Sequence, residues 1–183
     1  IAAGEVVEKV VSIVKELVEN SVDAKATNIK IDLKEAGIRE IIVTDNGIAM
    51  NREDAPLAFQ RHATSKLYTD DDLWNISSLG FRGEALPSIA AVSDVILKTC
   101  DGEVGTMVHI KGGKIEKVTN SEARIGTQIT VTSMFYNTPA RLKHLRSPYA
   151  ELANVVEYVN KMALSYPSIK FRLTNDDKEI LNT

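Results

Sequence analysis

The sequence predicts a two-layer α+β sandwich: a mixed, mostly antiparallel sheet with helices on one face. Three observations carry that expectation. Apolar residues recur at helical spacing from about Glu5 to Ser21 and again from Ser147 to about Leu164. Several segments between and after these stretches read as strands, and "NIKIDLK" (28–34) alternates apolar and polar residues with period two, as a half-buried strand does. The repeated strand–helix–strand rhythm of a parallel sheet is absent, so helices interspersed with hairpins describe the chain best.

Each element has its own local reason. The first helix carries a stripe of Val7, Val10, Ile13, Val14, Leu17 and Val18. At about 100° per residue, Glu16, Asn20 and Asp23 fall within an arc of roughly 60° at the edge of that stripe. "NIKIDLK" (28–34) and "REIIVTD" (39–45) read as a strand pair turning near Gly37. "DNG" (45–47) has hairpin-turn wording, yet no strand follows it. Asn51 reads instead as the N-cap of a helix that Pro56 limits. Thr69 caps a short helix through Asp72, Leu73 and Trp74, and another short helix starts at Glu84. "VILKTC" is a strand. "TMVHI" and "KIEKV" form a hairpin about Gly112–Gly113, and "GTQITVTSMF" (126–135) is a further strand. Ser147 followed by Pro148 opens the second long helix, with Val155, Val156, Val159 and Met162 on one stripe. "SIKFRLT" and "EILNT" close as a hairpin.

Composition narrows the function. With 183 residues and 44% hydrophobic content, the chain can bury one real core, and we expect a single domain over 1–183. A formal charge of −3 argues against strong nucleic-acid binding; the stretch from Arg141 to Arg146 is the one local basic candidate. One cysteine, Cys100, excludes an internal disulfide and a cysteine-based zinc site, and suits a reducing cytoplasm. No apolar run approaches membrane length. The chain starts at Ile1 without Met and stops in a polar stretch, as a fragment of a longer protein would.

Neither G-x-x-x-x-G-K-[ST] nor G-x-G-x-x-G occurs, and His62, His109 and His144 are too scattered for a ligand set. Four features remain. They are the Glu16/Asn20 pair one turn apart, "DNGIAM" after a buried strand, "RHATSK" followed by "LGFRGEAL", and a Gly-Thr entering a strand at 126–127. Singly, each has an ordinary reading: a solvated helix acid, a turn, loop glycines, a β-branched strand residue.

In this order the set resembles the ATP-binding domain shared by DNA gyrase B, Hsp90, sensor histidine kinases and MutL mismatch-repair proteins, the GHKL or Bergerat fold. Within that superfamily the resemblance is to the MutL family. It rests on "IAAGEVVE", "VVSIVKELVENSVDA", "DNGIAM", "RHATSK", "LGFRGEALPSIA", "GTQITV" and "FYNTPARLKHL", which span Ile1 to about Leu145. The resemblance implies ATP and Mg²⁺ as cofactors. Glu16 would be the general base toward the attacking water, and Asn20 the Mg²⁺ ligand. Asp45 would accept from the adenine amino group, with Gly47, Ala49 and Met50 beside the base. Thr127 would support Asp45 and a bound water. Thr64, Ser65 and Lys66 would line the pocket near ribose and phosphates, and Gly80, Phe81, Arg82 and Gly83 would form a phosphate-covering lid.

The resemblance further implies a slow ATPase acting as a conformational switch. The partners would be a second copy, through ATP-dependent pairing of N-terminal halves, a MutS-type mismatch sensor, and DNA through regions mostly outside these residues. A nucleotide-sensing module with little hydrolysis is the alternative. A histidine kinase would need a phosphoacceptor histidine and different lid wording. Four positions depart from the family pattern: Ala49 stands for the usual second glycine of the adenine motif, Lys25 for a glycine after the helix, and Lys9–Val10 for Arg-Pro.

Overall fold

The computed structural model describes residues 7–60 and 85–183. Within them, helix α1 spans Val10–Asp23, and strands β1 (Asn28–Lys34) and β2 (Glu40–Asp45) flank a 3₁₀ turn at Glu35–Gly37. Helices α2 (Asp54–Leu57) and α3 (Ala85–Ala91) follow. Next come β3 (Asp94–Cys100), β4 (Gly105–Lys111), β5 (Lys114–Ser121) and β6 (Gly126–Thr132). Helices α4 (Pro139–His144) and α5 (Pro148–Ser165) lead to β7 (Lys170–Asn175) and β8 (Lys178–Asn182).

The strands form one sheet in the order β5-β4-β3-β6-β2-β1-β7-β8. Every neighbouring pair is antiparallel except β1 and β7, which run parallel with Asn28 opposite Lys170. This matches the predicted sandwich. Register builds its buried face in rows. Leu173, Ile31, Val43, Ile129, Leu97 and Val108 lie side by side across six strands, and Leu33, Ile41, Val131, Val95 and Ile110 form the next row. The stripe Val10, Ile13, Val14, Leu17 and Val18 of α1 joins these rows in one core, together with Val155 and Val159 of α5. Non-directional burial of this kind dominates the stability of such a layer.

Several boundaries differ from the expected ones. Helix α1 begins at Val10 and not Glu5, because Lys9 is extended (φ −135°, ψ 160°), and it runs on to Asp23. Strand β6 stops at Thr132 and not Phe135, because Ser133 and Phe135 turn the chain at φ 53° and 64°. The helix after Asn51 is short. The Asn51 side-chain oxygen does accept from Asp54 N–H at 2.8 Å, but only Asp54–Leu57 are helical. Helix α4 was not expected; Pro139 at its start fixes the first turn. Ser147 caps α5 as expected, its Oγ accepting from Ala150 N–H at 3.3 Å, with Pro148 in the first turn. The expected cap at Thr69, the helix near Trp74 and the helix start at Glu84 lie outside the described residues.

The end of α1 settles the reading of Lys25. Lys25 N–H donates to Val22 C=O at 3.0 Å and Ala26 N–H to Ser21 C=O at 3.1 Å, the paired bonds of a Schellman cap. That geometry sets Lys25 at φ 63°, a left-handed conformation that costs a non-glycine residue about 1–2 kcal/mol. Glycine removes that strain while regaining about 0.4–1 kcal/mol of unfolded-chain entropy. Lys25→Gly is therefore expected to stabilise the fold by about 0.5–1 kcal/mol, seen as a rise of roughly 1–4 °C in Tm by thermal melting.

Candidate nucleotide-binding site

The third row across the sheet is where chemistry enters. It reads Phe171, Ile29, Asp45, Thr127, Thr99 and Thr106 from β7 to β4. Its last four members are polar, and all are buried. A buried polar side chain costs free energy unless it is hydrogen-bonded, so this row has to organise its own partners. Asp45 Oδ1 accepts from Gly47 N–H at 2.9 Å and from Thr127 N–H at 3.3 Å. Asp45 Oδ2 accepts from the Ser21 hydroxyl of α1 at 2.7 Å. Thr127 Oγ1 lies 2.9 Å from Thr99 Oγ1, which in turn accepts from Met50 N–H at 3.0 Å. One network thus joins α1, the turn after β2, β6 and β3.

Close backbone packing holds the turn in place. Ile48 N–H donates to Ala24 C=O at 2.7 Å, and the Asn46 side-chain oxygen accepts from Thr27 N–H and Asn28 N–H at 2.9 and 3.0 Å. A Cβ on Gly47 would lie 2.5 Å from Ala24 O, so this glycine is required by the helix end beside it. Gly126 is at φ 112°, and a Cβ there would meet Asp45 O at 2.0 Å. Only glycine lets β6 deliver Thr127 to Asp45.

Between α1 and this row lies a cavity of about 50 Å³ lined by Asn20, Ser21, Asp45, Met50, Leu86 and Thr127, among others. Ordinary small-molecule pockets hold roughly 300 Å³ or more, so the described residues supply a floor and not a whole pocket. Asn20, Asp45, Met50 and Thr127 therefore come together, as the sequence led us to expect. Glu16 sits one turn earlier on α1, is 7% exposed, and does not line this cavity. Gly47 lies behind it against Ala24. Ala49 is half-buried, is not among the residues of positive φ, and does not line the cavity either. Thr64, Ser65, Lys66, Gly80, Phe81, Arg82 and Gly83 lie outside the described residues. Ser21 and Thr99 belong to the site and were not anticipated, whereas Gly126 is the glycine of the Gly-Thr pair that the sequence singles out.

Burial of the Asp45 carboxyl raises its pKa above the ordinary 3.8; the bonds from Ser21, Gly47 and Thr127 and the nearby Arg124 charge oppose that rise. With Oδ1 taken by two amides and Oδ2 by one hydroxyl, one lone pair of Oδ2 is left for a ligand donor. Among the described residues no group of three or more His, Cys, Asp or Glu is arranged to hold a metal ion, and no helix is long and apolar enough to cross a membrane.

Comparison with known proteins agrees with this geometry. Residues 8–145 match the family described as histidine kinase-, DNA gyrase B- and HSP90-like ATPase. The DNA mismatch repair protein MutL of Lactiplantibacillus plantarum is 54% identical over the whole chain, which covers 27% of that protein. MutL of Shouchella clausii is 53% identical over the whole chain and 28% of its own length. The chain thus spans little more than a quarter of these curated relatives. Among solved structures, the Aquifex aeolicus MutL ATPase domain complexed with ADP superposes with a TM-score of 0.77 at 31% identity, over 97% of this chain and 64% of that one. The 43K ATPase domain of Thermus thermophilus gyrase B has a TM-score of 0.65 at 16% identity, over 92% and 44% of the two chains, a likeness of fold alone.

Asp45 generates a test of its own. Its folded pKa is raised, so above that value the native state holds a buried charge that the unfolded chain ionises more easily. As pH falls toward 3.8, the native state takes up the proton first and gains stability from this group. In Asp45→Asn the amide oxygen can keep both backbone donors. The amide nitrogen can then donate to Ser21 Oγ, whose proton turns to Leu17 C=O, now 3.2 Å away. Thermal melts are expected to place Asp45→Asn at or above the parent at pH 7, with the gap narrowing as pH drops toward 3.8. A variant melting well below the parent at every pH would show that the charge is a net stabiliser.

Proposed function

This chain belongs to the family of histidine kinase-, DNA gyrase B- and HSP90-like ATPases, and from that premise we propose that it is the ATP-binding, ATP-hydrolysing part of a MutL-type DNA mismatch repair protein. The observation that carries the reading is the cavity floor on which a buried carboxylate with one open lone pair meets a helix bearing Asn20 and, one turn back, Glu16. Asp45 accepts from the exocyclic amino group of adenine, and Thr127 meets the ring beside it. Asn20 faces the phosphate side.

The donor set suits magnesium. Mg²⁺ keeps most of its waters and is held by one or two protein oxygens plus phosphate oxygens, so a single amide ligand on the cavity wall is sufficient and no carboxylate cluster is needed. Bound there, the ion would neutralise phosphate charge. Asn20 would hold it through its side-chain oxygen. Glu16 would orient the attacking water and take its proton; phosphoryl transfer asks little else of the protein than positioning and electrostatics. The presence of Glu16 and Asn20 together on α1 favours turnover over nucleotide sensing alone. Thr64, Ser65, Lys66 and the segment Gly80, Phe81, Arg82 and Gly83 would cover the ribose and phosphates. In the longer protein, ATP would promote pairing of two N-terminal halves, and that closed form would couple a MutS-type mismatch sensor to strand removal on DNA.

Two variants test the reading. Glu16→Ala is expected to abolish hydrolysis while ATP affinity stays within a few-fold, because a general base acts on the transition state and not on ground-state binding. Nucleotide titration and turnover assays on the same preparation check this, and unchanged turnover would remove Glu16 from its role. Ala49→Gly is expected to leave ATP affinity equal or slightly lower, since the Ala49 methyl does not line the cavity and glycine adds only loop entropy. Calorimetric titration decides it; clear tightening would mean that the methyl crowds the base.

A further inference from the structure

We propose that Thr99, which does not line the cavity, is a positioning residue for base selection: it fixes the direction in which the Thr127 hydroxyl points its proton. The inference rests on the nucleotide reading above and deepens it. Thr99 is 2% exposed, and its Oγ1 has two neighbours, Met50 N–H at 3.0 Å and Thr127 Oγ1 at 2.9 Å. A backbone N–H can only donate, so Thr99 Oγ1 accepts from Met50. A buried hydroxyl proton also needs an acceptor, and the acceptor within reach is Thr127 Oγ1. Thr99 therefore donates to Thr127. With that lone pair engaged, the proton of Thr127 is directed away from Thr99 and into the cavity that Thr127 lines.

The result is a fixed pair of polarities on the floor, an acceptor at Asp45 Oδ2 and a donor at Thr127 Oγ1. Adenine presents the complement along its Watson–Crick edge, with a donor at the N6 amino group and an acceptor at N1. Guanine presents the reverse order, an acceptor at O6 and a donor at N1–H. A water between Thr127 and the base passes on the same polarity, because it accepts from Thr127 and donates onward. A lone threonine is otherwise indifferent: its hydroxyl rotates to suit either edge. The Met50 N–H, which cannot rotate out of its role, supplies the direction, and Thr99 transmits it.

The test compares ATP with 1-deaza-ATP, in which N1 is replaced by C–H, by calorimetric titration into the parent, Thr99→Val and Thr99→Ser. The parent is expected to prefer ATP by about five- to ten-fold, the scale of one hydrogen bond. Thr99→Ser keeps the relay and the preference. Thr99→Val keeps the shape but not the hydroxyl; the released Thr127 proton spreads over three staggered positions, of which one aims at N1, so the preference is expected to fall about three-fold. A purely structural role for Thr99 would weaken both nucleotides in parallel and leave the ratio at the parent's value; that result overturns the inference. Should Thr99→Val fail to fold, Thr99→Cys retains the shape with a weak donor and acceptor and is expected to give an intermediate ratio; a parental ratio there overturns it equally. A parent that binds ATP without preferring N1 also overturns it. A parent that binds no ATP at all brings down the nucleotide reading itself, which separates the two failures.

Discussion

The Asp45 carboxylate is the constraint around which the rest of this molecule is arranged. A carboxyl group placed under a helix, on the apolar face of a sheet, is tolerable only if its environment is polar, ordered and close. Three donors from three elements meet that requirement: a helix hydroxyl, a turn amide and a strand amide. Each constrains its own backbone. The Ser21 contact sets the rotation of α1, which also decides where Glu16 and Asn20 stand. The Gly47 amide curls the chain directly after β2, and the Thr127 amide depends on a glycine that no other residue could replace.

Sheet and site are therefore parts of one register. Two rows of the buried face are wholly aliphatic and hold the layers together; the third turns polar from Asp45 through Thr106 at the same end of the strands. The cavity forms where the aliphatic rows give way to that polar row. A slip of one residue in β6 would replace Thr127 opposite Asp45 and turn Ile129 and Val131 away from the core together. Stability and the polar floor are thereby tied to the same strand pairing, which explains why a large apolar core can still keep that floor accurately placed.

Much of this was legible in the sequence, for definable reasons. Period-two alternation marked β1 closely, and the Ser147–Pro148 pair marked the start of α5, because each signal is local. The resemblance named Asn20, Asp45 and Thr127 together, and these three line one cavity, while Glu16 stands one turn away from it. Helix α4 was invisible since six residues cannot show a 3.6-residue period. The end of β6 was misplaced because its turn uses Ser133 and Phe135 at positive φ, where glycine would have announced it. Ser21 and Thr99 were missed for a different reason. A single hydroxyl within an apolar stripe looks like packing until pairing of β3 with β6 and of α1 with the sheet brings it to a partner far along the chain.

The parallel contact between β1 and β7 has a consequence for the order in which this chain acquires its shape. Asn28 must wait for Lys170, so strand β1 finds its second neighbour only after about 140 further residues have been synthesised. Until then β1, with Ile29, Ile31 and Leu33 in alternation, is an unprotected edge, and the closure entropy of that long loop has to be met before the pair rewards it. On a ribosome adding residues from the N-terminus, the hairpin of β1 and β2 can form early. The sheet is completed late, when β7 and β8 arrive together and seal it. A nascent chain stalled before Lys170 would expose that apolar strand to chaperones or to other chains, so the arrival of β7 is the step that takes β1 out of their reach.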